Sequence, residues 1–259
     1  MISSTYSNKK KDIHLKDCYF YHSMELPTYG FVEGEWDLRS NLRQYLGGVN
    51  FNKSTTVLDV GCASGYIAFQ IEKMGANVVA YDLSYEENWD IVPHYNMNLE
   101  ENIVNRKNHI KKINNSFWLA HAEYSSNIKM SYGSIYDIDV KIGQFDVAIL
   151  GSILLHIRDP FFALQSVSKH VKKTIIITDI VRRYRGRLTS FLELFPSINV
   201  MRFLPQPDKI NQFDTWWELS PKLIKKFIQI LGFTNIKTTY HYQLYKGKKV
   251  KLYTVVGHR

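Results

Sequence analysis

Asp59, Gly61, Gly65 and Asp82 carry most of the chemical information in this chain. Glycines at 61 and 65 allow a backbone to approach a ligand closely, and a helix opening directly after them would present unpaired N–H groups to it. Cys62 lies in the same loop. The spacing is Gly-x-x-x-Gly, not the Gly-x-Gly-x-x-Gly of dinucleotide sites, and a carboxylate at 59 would repel a pyrophosphate. S-Adenosylmethionine has no phosphate; it carries an ammonium and a sulfonium, which a carboxylate attracts. Asp82 follows Gly61 by about 20 residues, the distance at which one strand–helix–strand unit returns an acid to ribose hydroxyls. Leu83 adjoins it. The four residues with Cys62 and Leu83 form a candidate S-adenosylmethionine site.

Three further groups could act on a second substrate. His156, in Leu154-Leu155-His156, falls just past a fourth strand, where an imidazole serves either as a general base or as a backbone hydrogen-bonding group. Arg182, Arg183, Arg185 and Arg187 suit a phosphate or carboxylate, and equally a solvated face. Trp216 and Trp217 suit a planar or sugar-like substrate, with one of them a candidate for the core.

The elements that position these residues follow from hydrophobic pattern. Thr55 to Val60 is a β-branched, apolar run typical of a strand buried on both faces, and Ile67, Ile71 and Met74 fall at helical spacing after the glycine loop. Asn77 to Asp82 is a second strand, Ile128 to Tyr132 a third, Phe145 to Leu150 a fourth and Thr174 to Thr178 a fifth. A helix is expected from Ile113 to Ala122 within the long connection between strands two and three. In such a sheet Ser134 and Ile135, after strand three, flank the adenine, while Gly151 and Ser152, after strand four, border the methionine limb. Asp159-Pro160 and Ser220-Pro221 are helix starts, and Ile224, Phe227, Ile228 and Leu231 form an apolar stripe ended by Gly232. Asn235 to Tyr242 and Val250 to Val256 alternate as a terminal antiparallel hairpin. The expected organisation is an N-terminal cap over the pocket (1–52) and an α/β domain (53–259) with a lid insertion at about 180–220.

At 259 residues and 45% hydrophobic content the chain suffices for one α/β domain with a sizeable core. Its longest apolar stretch, near Val147 to Leu155, is too short to cross a bilayer, and the polar N-terminus has no apolar leader core, so a cytoplasmic protein without a membrane partner is expected. Two cysteines, Cys18 and Cys62, argue against a disulfide framework, and no spacing suggests metal ligands. The net charge of +9 suits RNA or an anionic small substrate, and equally serves solubility alone.

The sequence resembles class I S-adenosylmethionine-dependent methyltransferases, and more narrowly the bacterial group of tRNA wobble-uridine (carboxy)methyltransferases. The resemblance rests on Tyr21-His22-Ser23-Met24-Glu25-Leu26-Pro27, Glu35-Trp36-Asp37-Leu38-Arg39, Leu58 to Gly65, Phe117-Trp118-Leu119-Ala120-His121, Gly133-Ser134-Ile135-Tyr136-Asp137, Leu154-Leu155-His156 and Thr215-Trp216-Trp217. It implies a Rossmann-like, doubly wound, mostly parallel seven-stranded sheet with a reversed last strand, and a cofactor role for Trp36. The ungapped match sets His22 and Leu155 where carboxymethylating members have a lysine and a tyrosine, so ordinary S-adenosylmethionine is the expected donor and S-adenosylhomocysteine the product. The catalytic candidates are His156, His22 and Glu25, in that order. The expected acceptor is a small, polar or anionic metabolite or sugar-linked intermediate methylated on oxygen, held by Arg182, Arg185, Trp216 and Trp217. A tRNA acceptor is the second reading, and a non-catalytic RNA- or cofactor-binding module the alternative from another class.

Overall fold

The computed structural model describes residues 5–87, 89–181 and 199–259. A hairpin of β1 (Met24–Leu26) and β2 (Gly30–Val32) comes first, followed by the short β3 (Trp36–Asp37) and α1 (Leu42–Tyr45). Then β4 (Thr56–Val60), α2 (Tyr66–Lys73), β5 (Asn77–Asp82), α3 (Leu99–Glu123), β6 (Lys129–Tyr132), β7 (Phe145–Gly151), α4 (Pro160–Ser168) and β8 (Val171–Ile180) alternate. β9 (Met201–Phe203) and β10 (Trp217–Leu219) pair with each other, and α5 (Pro221–Ile230), β11 (Asn235–Tyr245) and β12 (Lys248–His258) complete the described chain.

The main sheet runs β3-β11-β12-β8-β7-β4-β5-β6. β4 is parallel to β5 and β7, β5 to β6, and β7 to β8, while β12 lies antiparallel to β8. The seven expected strands, with their reversed last member, are therefore present. An eighth is added by the N-terminal segment, where Trp36 and Asp37 pair with Tyr245 and Leu244. The strand order reverses between β4 and β7, and ligands of open α/β sheets bind in the crevice at such a point, beyond the carboxyl ends of the strands.

Alternation along each strand separates two cores. Val57, Ile149 and Ile176 face the N-terminal segment, α2 and α3, where Phe69 and Phe117 stack. Leu58, Ala148, Leu150 and Ile175 face α4 and α5. Asp59 shares the parity of Val57, so it is a carboxylate on the first of these faces, almost wholly buried.

The helix expected from Ile113 to Ala122 is 25 residues long and begins at Leu99. Its start has a reciprocal cap: Glu101 N–H donates to Asn98 Oδ1 and the Asn98 amide donates to Glu101 Oε2. Met74, read at helical spacing with Ile67 and Ile71, is the C-cap of α2 and is exposed, while the other two are buried. Asp159 and Ser220 cap α4 and α5 as expected.

Candidate active site

A cavity of about 790 Å³ opens at the carboxyl ends of β4, β5, β6 and β7. Two loops on its wall hold strained backbone: Ala63, after β4, and Ser152, after β7, both have positive φ without being glycine. Each is fixed by its surroundings. Ala63 N–H donates to Asp82 Oδ2 at 2.6 Å, and Ser152 N–H donates to the Thr178 carbonyl at 2.7 Å.

Asp82 faces the cavity from the end of β5, with its other oxygen accepting from Leu83 N–H at 2.7 Å. Burial raises its pKa, and those two backbone donors oppose the rise. Asp59 lies behind the wall with one carboxylate oxygen, Oδ2, lacking any partner. Burial first, and the neighbouring Asp82 second, push its pKa up to about 7.

The glycines do different work from one another. Gly61 lines the cavity at φ 75°, and a Cβ there would collide with Ile153 Cδ1. Gly65 lies off the wall. Its φ of 83° starts α2, and a Cβ would come within 2.6 Å of both Phe117 and Phe69, so helix packing requires this glycine, not ligand approach. Gly151 lines the cavity, but the space it leaves is taken by Tyr45, whose hydroxyl would lie 2.5 Å from an added Cβ. Cys62 is buried beside the loop and off the wall, with burial raising its thiol pKa well above the ordinary value.

Trp36, Leu83, Ser134, Ile135, Ser152 and His156 also line the cavity. Trp36 packs at 4.8 Å against Tyr245, so the eighth strand brings both rings to the wall. His156 Nδ1 contacts the Asp214 carbonyl oxygen closely. A carbonyl can only accept, so Nδ1 carries the proton and Nε2 the lone pair whenever the ring is neutral.

Other expected residues are elsewhere. His22 is buried among Tyr21 and Tyr66, off the cavity wall, and burial lowers its pKa to about 4. Glu25 is on the surface, paired with Arg39 at 2.9 Å, and Arg39 is further held by Asp37. Trp216 and Trp217 do not line the cavity either; their indole N–H groups donate to the backbone carbonyls of Asp90 and Arg158 at 2.7 and 3.0 Å. The pairing of β9 with β10 and these two bonds turn the rings toward the protein. Arg182, Arg183, Arg185 and Arg187 lie outside the described residues.

The residues just before the tryptophans do reach the wall: Phe213, Asp214 and Thr215. Opposite them α3 presents Asn105, Arg106, His109, Ile110, Ile113 and Asn114. Asn114 is buried, its amide donates to the Leu83 carbonyl at 3.2 Å, and its Oδ1 has no partner. Sequence reasoning named none of these α3 residues as site residues. The Asn98–Glu101 capping pair would have started the helix at 99, and from there positions 106, 110, 113 and 114 share a face.

A family model described as a methyltransferase domain matches residues 34–234. Among solved structures, human N-acetylserotonin methyltransferase in complex with SAM is 15% identical, with a TM-score of 0.50, over 86% of this chain and 52% of that one. A SAM-dependent methyltransferase from Methanosarcina mazei is 13% identical, with a TM-score of 0.50, over 81% of this chain and 94% of that one. No curated protein sequence gives a match. The matched span runs from the N-terminal segment through the glycine loop, both strand-end acids, α3 and α5, and the chain belongs to the methyltransferase-domain family.

Proposed function

We propose that this methyltransferase takes its methyl group from S-adenosylmethionine and transfers it to oxygen on a small, polar, anionic acceptor. The observation that carries the donor assignment is the pair of strand-end acids. Asp82 faces the cavity where ribose hydroxyls would lie, and Asp59 holds an orphaned carboxylate oxygen beneath the Gly61 loop. A buried acceptor without a donor is costly. An ammonium near Asp59 would satisfy that charge, and an exocyclic amine or hydroxyl near Asn114 would satisfy its Oδ1 in the same way. The residues therefore fit this donor: Asp82 for the ribose, Leu83, Ser134 and Ile135 around the adenine, and Trp36, Gly61, Gly151 and Ser152 along the methionine limb.

When bound, S-adenosylmethionine supplies an electrophilic methyl group on a sulfonium. The protein's work is to align an acceptor oxygen behind that methyl and to exclude water, which supplies most of the rate in such a displacement. His156 lines the same cavity, and its Nδ1–H is held by the Asp214 carbonyl, which makes Nε2 the basic nitrogen of the neutral ring and His156 the general base of this reading. His22 and Glu25, off the wall, have no role in this step.

Incubation with isotopically labelled donor, a low-molecular-weight metabolite extract and, separately, total RNA tests the reading. Label should enter a small acidic product, and its formation should change little between low and physiological salt. Label confined to tRNA, with affinity falling by orders of magnitude over that range, would establish the second reading, which the net charge of +9 favours.

A further inference from the structure

Arg106 is the one cation on the cavity wall that is largely buried and largely unsatisfied among the described residues. Its side chain is 17% exposed, and its guanidinium lies 4.3 Å from the centre of the Phe213 ring and 5.1 Å from that of Trp89. Nη2 donates to Asp214 Oδ2 at 3.0 Å. Its other N–H groups make no hydrogen bond within the described residues. An arginine does not escape by losing its proton, so a guanidinium held out of water with most of its donors idle is an anion site in waiting.

Asp214 takes one of its donors, and the other acids on the wall are engaged elsewhere. Asp82 accepts from two backbone N–H groups. Asp90 accepts from the Tyr136 hydroxyl and from Arg158 N–H. Glu35 accepts from the Tyr19 hydroxyl and pairs with Lys246 at 3.4 Å. Each carboxylate on the wall is thus engaged, whereas Arg106 has capacity to spare.

We infer that Arg106, fixed between Trp89 and Phe213, is the subsite for a single carboxylate on the methyl acceptor. This rests on the methyltransferase reading above and names the substrate class for it. Two features select a carboxylate over a phosphate. The fork of two N–H groups matches a planar carboxylate. Asp214 and Glu35 also line this end of the cavity, each already paired with one of its two cations, Arg106 and Lys246, so a dianion would meet two acids with no second cation to offset its extra charge. The position further implies where the acceptor's reacting oxygen lies. Asp214 holds Arg106 by its side chain and His156 by its carbonyl, so one residue sets the spacing between the carboxylate and the proton acceptor. The carboxylate is then a recognition handle, remote from the oxygen that is methylated, and the substrate class is a hydroxy acid.

The test uses the intrinsic fluorescence of Trp89, which abuts Arg106, in the full-length protein saturated with S-adenosylhomocysteine. Titrants are 4-hydroxybenzoate, 4-hydroxybenzamide and inorganic phosphate. The carboxylate should bind saturably and at least tenfold more tightly than the amide, with phosphate not competing. Arg106→Gln should remove that preference and Arg106→Lys should reduce it, both with unchanged S-adenosylhomocysteine affinity, which also reports that the variants are folded. Equal binding of acid and amide, competition by phosphate, absence of saturable binding, or a preference that survives Arg106→Gln would overturn the inference. A wild-type protein that fails to bind S-adenosylhomocysteine instead overturns the donor assignment, and the same titration without it still reads the subsite.

Discussion

Among single residues, Asp59 and Asp82 are two carboxylates whose ionisation is held back by burial. Asp59 has a pKa of about 7 in the folded chain and an ordinary one near 3.8 when unfolded. A raised carboxylate pKa favours the protonated folded form, so stability contributed by the protonated group is present below the unfolded value. It is lost as pH rises through the folded one. Binding of an ammonium reverses the balance, because the ligand favours the ionised form and expels the proton. Affinity for S-adenosylhomocysteine should therefore rise with pH from about 5.5 to 7.5 and level off above, with a shallower profile in Asp59→Asn. Calorimetry in buffers of different ionisation enthalpy measures both the affinity and the released proton; an affinity flat or falling over that range contradicts the role given to Asp59. The positions of Asp59 and Asp82 were legible in the sequence because one precedes the last residue of an apolar strand and the other ends one, where local pattern sets the direction of the side chain. Arg106, His109 and Asn114 were not. Their partners are remote in the chain: Arg106 is held by Phe213 and Asp214, more than 100 residues away, His109 packs on Tyr19, and Asn114 donates to the Leu83 carbonyl.

At the scale of elements, the loop between β4 and α2 must satisfy both a ligand and a helix. Gly61 serves the cavity side and Gly65 the packing side, where Phe117 and Phe69 leave no room. Gly65→Ala should cost about 2 to 5 kcal/mol, combining roughly 1–2 for a left-handed residue with a side chain and roughly 1–3 for overpacking. Gly61→Ala should cost less in stability, since the atom in its way is the end of a flexible isoleucine, and more in ligand affinity. Urea denaturation of both variants measures this, and a Gly65→Ala midpoint equal to wild type would contradict it. The parallel strands and their helix caps were readable because each is a short, locally specified signal. The eighth strand was not, since Trp36 and Asp37 become a strand only by pairing with the far edge of the terminal hairpin. Trp216 and Trp217 show the same limit: their aromatic character was plain, but their orientation is set by the β9–β10 pairing and by carbonyls of distant loops.

At the scale of the whole molecule, the N-terminal segment is continuous with the sheet it covers. Met24, Leu26, Leu38 and Tyr45 belong to the same core as Phe69 and Phe117, and Tyr21, Glu35 and Trp36 reach the cavity from it. The cavity proposed to hold donor and acceptor is thereby built on one framework: strand ends, α3, residues 213–215 and the N-terminal segment. The cavity wall pairs Lys246 with Glu35 and Arg106 with Asp214, beside two further acids, Asp82 and Asp90. Such a cavity selects by placement of individual charges more than by overall field. The assignment of its deep end to S-adenosylmethionine is tested most directly by calorimetric titration of S-adenosylhomocysteine into the wild-type protein and Asp82→Ala. The account predicts one site per chain in the wild type and a loss of about 1.5 to 3 kcal/mol in the variant, the range for hydrogen bonds to a charged group. No binding to the wild type, or undiminished binding to Asp82→Ala, would contradict it.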